Sequence, residues 1–102
     1  MIEATIYKAL GDPVRLEMVR RLAAKAPSTI GELSGNLHIT RQGARKQLQV
    51  LVDAKVVRLE QQGRQTLVTL DRETLDIARA FISGLERQWD SRLAALKAFV
   101  ED

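Results

Sequence analysis

Cysteine is absent from the sequence, and its absence excludes disulfide bonds and thiolate metal sites. Histidine occurs once, at His38, which we interpret as a solvated residue in a predicted turn. The chain also lacks a nucleophile–base pair, a phosphate-binding loop and a carboxylate pair beside a histidine. We therefore expect neither a cofactor nor an enzymatic activity.

Long hydrophobic runs are absent as well. No apolar stretch approaches the roughly 18 residues of a transmembrane helix, and the first residues do not resemble a signal peptide. We expect no membrane partner and a cytoplasmic location. With 102 residues, 45% of them hydrophobic, the chain is long enough for one domain, residues 1–102, around a single core.

Positive charge is concentrated in the middle of the chain, although the formal net charge is only +3. Residues 37–64 carry six basic and two acidic side chains, a net charge of +4. Residues 65–102 carry five basic and seven acidic side chains, a net charge of −2. Binding to the phosphates of a nucleic acid requires such a concentration of positive charge. A solvated helix face with scattered basic residues is the alternative interpretation.

The segment from Thr29 to about residue 54 predicts two helices joined by a tight turn. Thr29 and Glu32 form a capping box, in which the hydroxyl accepts a backbone N–H and the carboxylate reaches back. Asn36 tolerates the left-handed conformation that ends a helix. Thr40 is a good N-cap for the second helix.

The second of these helices, over about residues 40–54, is predicted to be amphipathic. Ala44, Leu48 and Leu51 follow the spacing of a buried stripe. A helix anchored on one side and polar or basic on the other suits a DNA major groove. The side chains on its opposite face are Gln42, Arg45, Lys46 and Gln49.

Two further helices and a hairpin are predicted from spacing and turn residues. Apolar residues at intervals of four predict a first helix over residues 2–10, and Asp12-Pro13 is typical of the start of a second. Alternating residues predict a two-stranded β-hairpin over about residues 56–70. These elements give a mainly α fold with a small β-hairpin.

The last predicted helix, over about residues 74–100, carries an apolar stripe longer than a small domain can cover by itself. Part of this stripe is expected to pack against a second copy of the chain, together with residues of the first helix. A terminal helix folded back over its own core is the alternative, and Gly84 indicates either a bend or a close helix crossing. The residues predicted in the dimer interface are Ile2, Ile6, Ile82, Leu85, Trp89, Leu93, Leu96 and Val100.

Three segments resemble the ArsR-type winged helix-turn-helix repressors. ALGDPVRL at residues 9–16 resembles the start of the family's second helix, and ITRQGARKQL at residues 39–48 resembles its recognition helix. AKVV at residues 54–57 resembles the segment that leads into the wing. The resemblance implies a winged helix-turn-helix fold in which the N- and C-terminal helices form a dimer interface. It also implies a homodimeric repressor that binds an inverted-repeat operator.

The resemblance assigns roles to individual residues. The wing-tip position, which enters the minor groove or binds phosphate, corresponds to Arg64. Gln42 could pair with adenine, and Arg45 or Lys46 could donate to guanine. The family's DNA-facing residues on the recognition helix match Thr40, Arg41, Gln42, Arg45 and Lys46.

The sequence departs from the family where its members bind metals. No cysteine pair is present on the third helix, and Asp76 alone, with no histidine after His38, cannot form a zinc site. We therefore predict a member that does not sense metals. Lys55 replaces the usual glycine after the recognition helix, Gln47 stands where histidine is frequent, and Gly43 is expected to permit close approach of the helix.

A sequence-specific repressor is the leading hypothesis, and a winged-helix protein-interaction module that has lost sequence-specific DNA binding is the second. Reversing the charges of Arg45 and Lys46 distinguishes them, because an interaction module would tolerate the reversal. For the repressor, three possibilities stay open: a small-molecule inducer in the dimer interface, a protein inducer, or none.

Overall fold

Five helices and three short strands make up residues 1–101, the part of the chain that the computed structural model describes. In chain order the elements are α1 (Ile2–Leu10), α2 (Pro13–Ala24), β1 (Ser28–Thr29), α3 (Ile30–Ser34), α4 (Arg41–Asp53), β2 (Val57–Gln62), β3 (Gln65–Leu70) and α5 (Arg72–Glu101).

The helix boundaries follow from local capping. Asp12 accepts hydrogen bonds from the backbone nitrogens of Val14 and Arg15, at 2.9 and 3.1 Å, and Pro13 occupies the first turn of α2. The last helix begins two residues before its predicted start, because Asp71 accepts the backbone N–H of Thr74 at 3.1 Å. It continues without a break through the glycine at position 84.

The sheet contains one strand more than the predicted hairpin. β2 and β3 pair antiparallel from Val57↔Leu70 to Gln62↔Gln65, and β1 adds to the free edge of β3. The strand order is therefore β1-β3-β2. A strand of two residues is too short to show a period of two in the sequence, so its pairing becomes visible only in the fold.

One hydrophobic core lies between the five helices and the sheet, and Ala78 is the buried apolar residue that α5 contributes to it. The prediction that Ile6 lies in a dimer interface is wrong, since this side chain is 0% exposed within its own protomer. The reason is that α1 packs against α5, which turns Ile6 into the core. The largest fully buried side chains are Ile6, Met18, Leu22, Leu33, Leu51, Val56 and Val68.

The molecule is elongated, with principal extents of 68 × 26 × 25 Å. The length comes from α5, whose 30 residues span about 45 Å at 1.5 Å per residue. Every residue from Leu85 to Glu101 is exposed, so this half of the helix extends away from the core. No helix within residues 1–101 is both long and apolar enough to cross a membrane.

Candidate nucleic-acid interface

The segment that leads into α4 consists of the capped helix α3 and a tight turn. Thr29 and Glu32 form the predicted capping box at α3: the hydroxyl accepts Glu32 N–H at 3.2 Å, and the carboxylate accepts Thr29 N–H at 2.9 Å. Asn36 has the predicted positive φ of 64°, and His38 has one of 57° that the sequence did not indicate. These left-handed residues reverse the chain between α3 and α4.

Thr40 caps α4 as predicted. Its Oγ1 accepts the backbone N–H of Gly43 at 2.9 Å. A Cβ at Gly43 would lie only 3.1 Å from this oxygen, so the glycine makes room for the cap. The close approach that Gly43 permits in this structure is therefore to its own N-cap.

The two faces of α4 are divided as the sequence predicted. Ala44, Leu48 and Leu51 are buried. Gln49 is exposed, but its Nε2 donates to Oδ1 of Asp53 at 2.8 Å along the same helix. The other predicted DNA-facing residues of this region are all exposed: Thr40, Arg41, Gln42, Arg45 and Lys46.

The wing brings one more cation, Arg64, close to the exposed face of α4. Gly63, with φ of 59°, forms the turn between β2 and β3, and Arg64 follows it in an exposed position. Gln61 holds the tip, because its Oε1 accepts the Thr66 hydroxyl at 2.8 Å and its Nε2 donates to the Gly63 carbonyl at 3.0 Å. An open groove of about 400 Å³ between α3, α4 and the wing is lined by Thr29, Ile30, Gly31, Arg45, Arg64, Gln65 and Thr66.

The charge of this face is not neutralised within the protomer. Among residues 1–101, no carboxylate forms an ion pair with Arg41, Arg45, Lys46 or Arg64. We call residues 40–46, which are the N-cap and first turns of α4, together with Arg64 the recognition face. This face therefore keeps its positive field for an external anion.

Three cations at the end of α2 contrast with this face because each has a carboxylate partner: Arg20, Arg21 and Lys25. Glu17 lies 2.6 Å from Arg20 and 2.9 Å from Arg21, and these hydrogen bonds lower the pKa of Glu17 to about 2. Lys25 lies 2.8 Å from Glu32, and its hydrogen bond lowers the pKa of Glu32 to about 2. These pairs place two carboxylates against three cations, so the positive charge there is partly neutralised within the protomer.

Two arginines that position the site were not identified from the sequence. Nη1 of Arg21 donates to the carbonyl oxygens of Glu32, Leu33 and Gly35 at 3.3, 3.2 and 2.7 Å, and so closes the end of α3. Arg15 bonds to Gln47 on α4, at 2.7 Å. Both contacts join segments far apart in the chain, which helical spacing cannot reveal.

The base of the wing is fixed to the start of α5. Nε of Arg58 donates to Oδ2 of Asp71 at 2.8 Å, while Oδ1 of the same carboxylate accepts the Thr74 N–H. The Arg58 guanidinium and then the Thr74 N–H hold the pKa of Asp71 below its ordinary value. This ion pair therefore connects the base of the wing to the start of α5.

The proposed dimer residues other than Ile6 lie on the surface. Their exposed fractions range from 45% to 74%. Phe81 and Phe99 are also exposed apolar residues of α5, and the predicted set omitted them. The members of the set that are exposed are Ile2, Ile82, Leu85, Trp89, Leu93, Leu96 and Val100.

A metal centre requires several ligating side chains close together. Within residues 1–101, no three or more His, Cys, Asp or Glu side chains come together in a way that could hold an ion. Asp76 instead contacts Arg79, at 3.3 Å.

Comparisons with known proteins agree with this geometry. The profile of the family described as helix-turn-helix domain matches residues 10–60. An ArsR-like transcriptional regulator from Rhodococcus sp. RHA1 is 26% identical, with a TM-score of 0.82 over 96% of this chain and 92% of that chain. No curated protein sequence matches significantly.

Two other solved structures are similar over most of their length. The transcriptional repressor BigR from Xylella fastidiosa is 26% identical, with a TM-score of 0.61 over 78% of this chain and 82% of its own. The cadmium metal-sensor CMTR from Mycobacterium tuberculosis is 28% identical, with a TM-score of 0.57 over 70% of this chain and 73% of its own.

Proposed function

The chain belongs to the helix-turn-helix domain family as an ArsR-type winged helix-turn-helix transcriptional regulator, and from this premise we propose that it is a homodimeric repressor of an inverted-repeat operator, acting without a metal cofactor. The observation that carries the proposal is the recognition face. Its exposed cations have no acidic partner within residues 1–101, and they lie on a capped helix and the adjacent wing.

Each part of this face is given a role by its chemistry. Arg41 and the first backbone N–H groups of α4 would bind phosphate, since helix N-termini favour anions. Gln42 would pair with adenine, and Arg45 or Lys46 with guanine O6 and N7. Arg64 would bind phosphate or enter the minor groove. Gln49 is a weaker candidate, because its amide already bonds to Asp53.

The dimer is proposed from the exposed apolar side chains of α5. Burying them against a second copy would remove from water a surface that soluble monomers rarely expose. A dimer would also bring two recognition helices to one side, about one DNA turn or roughly 34 Å apart. This symmetry is the reason for proposing an inverted repeat.

The proposal contains no metal because the donor set is missing: the sequence has no cysteine, and residues 1–101 assemble no alternative ligand group. Repression follows from occupancy of an operator. An inducer, whether a small molecule in the interface or a protein, is not part of the proposal.

Selection of bound sequences from a random duplex library, at two salt concentrations, tests the proposal. We expect an enriched inverted repeat, with affinity falling by about 10³-fold or more between 50 and 200 mM salt if six to ten phosphates are contacted. Arg45→Ala should lose about 1–3 kcal/mol on the selected site and relax its base preference.

The matched control is Arg79→Ala, which removes the same charge from α5. Arg79 pairs with Asp76, away from the recognition face, so the selected sequence should stay the same. Binding that is abolished by salt with no enriched sequence would reject a sequence-specific repressor and favour the interaction module.

A further inference from the structure

A path of hydrogen bonds connects the last helix with the first. Tyr7 of α1 donates its hydroxyl proton to the carbonyl oxygen of Ala78 in α5. The rings of Tyr7 and Phe81 also lie 5.9 Å apart at an interplanar angle of 52°, which is a favourable aromatic geometry. These contacts fix α1 to the helix that carries the proposed dimer surface.

Arg15 continues the path from α1 to α4. Its Nε donates to the carbonyl oxygen of Ala9 at 2.7 Å, and its Nη2 donates to that of Lys8 at 3.3 Å. Both carbonyls lie in the last turn of α1, and that of Lys8 also accepts the N–H of Gly11 at 3.2 Å. Nη1 then donates to Oε1 of Gln47 at 2.7 Å. A planar guanidinium can reach all three acceptors at once, whereas an ammonium cannot.

We propose that Arg15 is a positioning residue that fixes the recognition helix relative to the dimer helices through Gln47, and thereby sets which half-site spacing the dimer accepts. The inference rests on the proposed function, because half-site spacing has meaning only for a dimer on DNA. It assigns Gln47 the role of an acceptor inside the protein.

The position of Gln47 supports this role. The residue is half-buried, between exposed Lys46 and buried Leu48, so it lies where α4 turns from its DNA-facing side to the core. A restraint at this point acts on Arg45 and Lys46 together, because a helix moves as a rigid element. The bonds from Arg15 to the α1 carbonyls hold α1 to α2, and the bond to Gln47 joins α4 to the same guanidinium.

The first measurement needs no DNA. Because the chain has no cysteine, Val50→Cys places a single spin label on an exposed part of α4 in each protomer. We expect one narrow distance distribution between the labels of a dimer, and a broadened or shifted one when Gln47→Met removes the acceptor. Arg15→Lys is the second variant and should act in the same way.

Two further variants separate positioning from stability. Gln47→Glu keeps an acceptor for Arg15 and should restore the narrow distribution. Val52→Ala removes apolar contact from the same helix without touching the Arg15–Gln47 bond, so it should lower stability and leave the distribution narrow.

The second measurement compares operators whose half-sites are moved one base pair closer or further apart. We expect Gln47→Met and Arg15→Lys to reduce discrimination between spacings by about fivefold, the scale of one lost hydrogen bond. Affinity for an isolated half-site should change much less, and Gln47→Glu should recover the discrimination.

The outcomes separate the inference from the proposed function. If the parent labels give no dipolar distance, the proposed dimer fails and the inference fails with it. If the parent distance is narrow and stays narrow in Gln47→Met, with unchanged spacing discrimination, the inference alone is overturned. The inference would also be overturned if Gln47→Met lost affinity equally for half-sites and for operators of every spacing, and if this loss followed the loss of stability as in Val52→Ala.

Discussion

At the scale of single residues, Lys55 adopts a conformation that its side chain disfavours. Its φ is 63°, and it follows α4 at the position where the family usually has glycine. Lys55 N–H donates to the Val52 carbonyl at 2.9 Å, and Val56 N–H donates to that of Leu51 at 3.0 Å. This is the hydrogen-bond pattern of a Schellman motif, and Leu51 and Val56 are both fully buried beside it. Lys55 therefore occupies the left-handed position of this motif, which is usually held by glycine.

We predict that Lys55→Gly raises the free energy of unfolding by about 0.5–1 kcal/mol. Glycine removes the left-handed penalty of roughly 1–2 kcal/mol but adds entropy to the unfolded chain. Urea unfolding measures the change. Lys55→Ala is the control, because it removes the same charge and keeps the Cβ, so it should give no gain. Equal stabilisation by both substitutions would assign the effect to charge.

Single residues also show how far the sequence could predict the site. Asn36 and Thr40 were predicted because caps and left-handed turns depend on neighbours in the chain. Arg15 and Arg21 were not, because their acceptors are carbonyls and an amide brought near by folding. Local chemistry can be predicted from a single sequence, whereas contacts between distant segments require the fold.

At the scale of elements, α3 depends on its capping box and on one ion pair. Glu32 has a folded pKa of about 2, below its ordinary 4.5, because of Lys25 and then the Thr29 N–H. A lowered folded pKa gives stability that is present above the unfolded pKa and is lost as pH falls through the folded pKa. The contribution of Glu32 should therefore disappear between about pH 4.5 and pH 2.

We predict that Glu32→Gln reduces the acid dependence of the free energy of unfolding in this window. Glutamine can still serve in a capping box but does not titrate. Glu17 titrates over the same window and should account for part of the remaining slope. Urea unfolding across this pH range tests the prediction, with exposed Glu86→Gln as control. An unchanged slope in Glu32→Gln would contradict it.

Elements also differ in how well they could be predicted. The α4 helix extends over Arg41–Asp53, within one residue of the predicted range at each end, since its cap and its buried stripe agree. β1 was missed because two residues carry no periodicity. Ile6 was assigned to the wrong surface because its spacing with Ile2 fits both an inward and an outward stripe.

At the scale of the whole molecule, the exposed half of α5 has too much apolar surface to be explained by its own protomer. Leu93 lies on this surface and is 45% exposed, and Leu59 on the wing is exposed to the same extent. If α5 pairs with a second copy, only one of these leucines becomes buried. The two residues therefore form a matched pair for testing the dimer.

We predict that Leu93→Glu raises the dimer dissociation constant by about tenfold or more, which corresponds to roughly 1.4 kcal/mol, because it buries a carboxylate in an apolar interface. Leu59→Glu should leave the constant unchanged. Sedimentation equilibrium of both variants measures the effect. The monomeric form of Leu93→Glu should keep its helical content, since every residue from 85 to 101 is exposed within its own protomer. A weaker dimer in both variants would point to general charge repulsion, and a parent protein that sediments as a monomer would refute the pairing through α5.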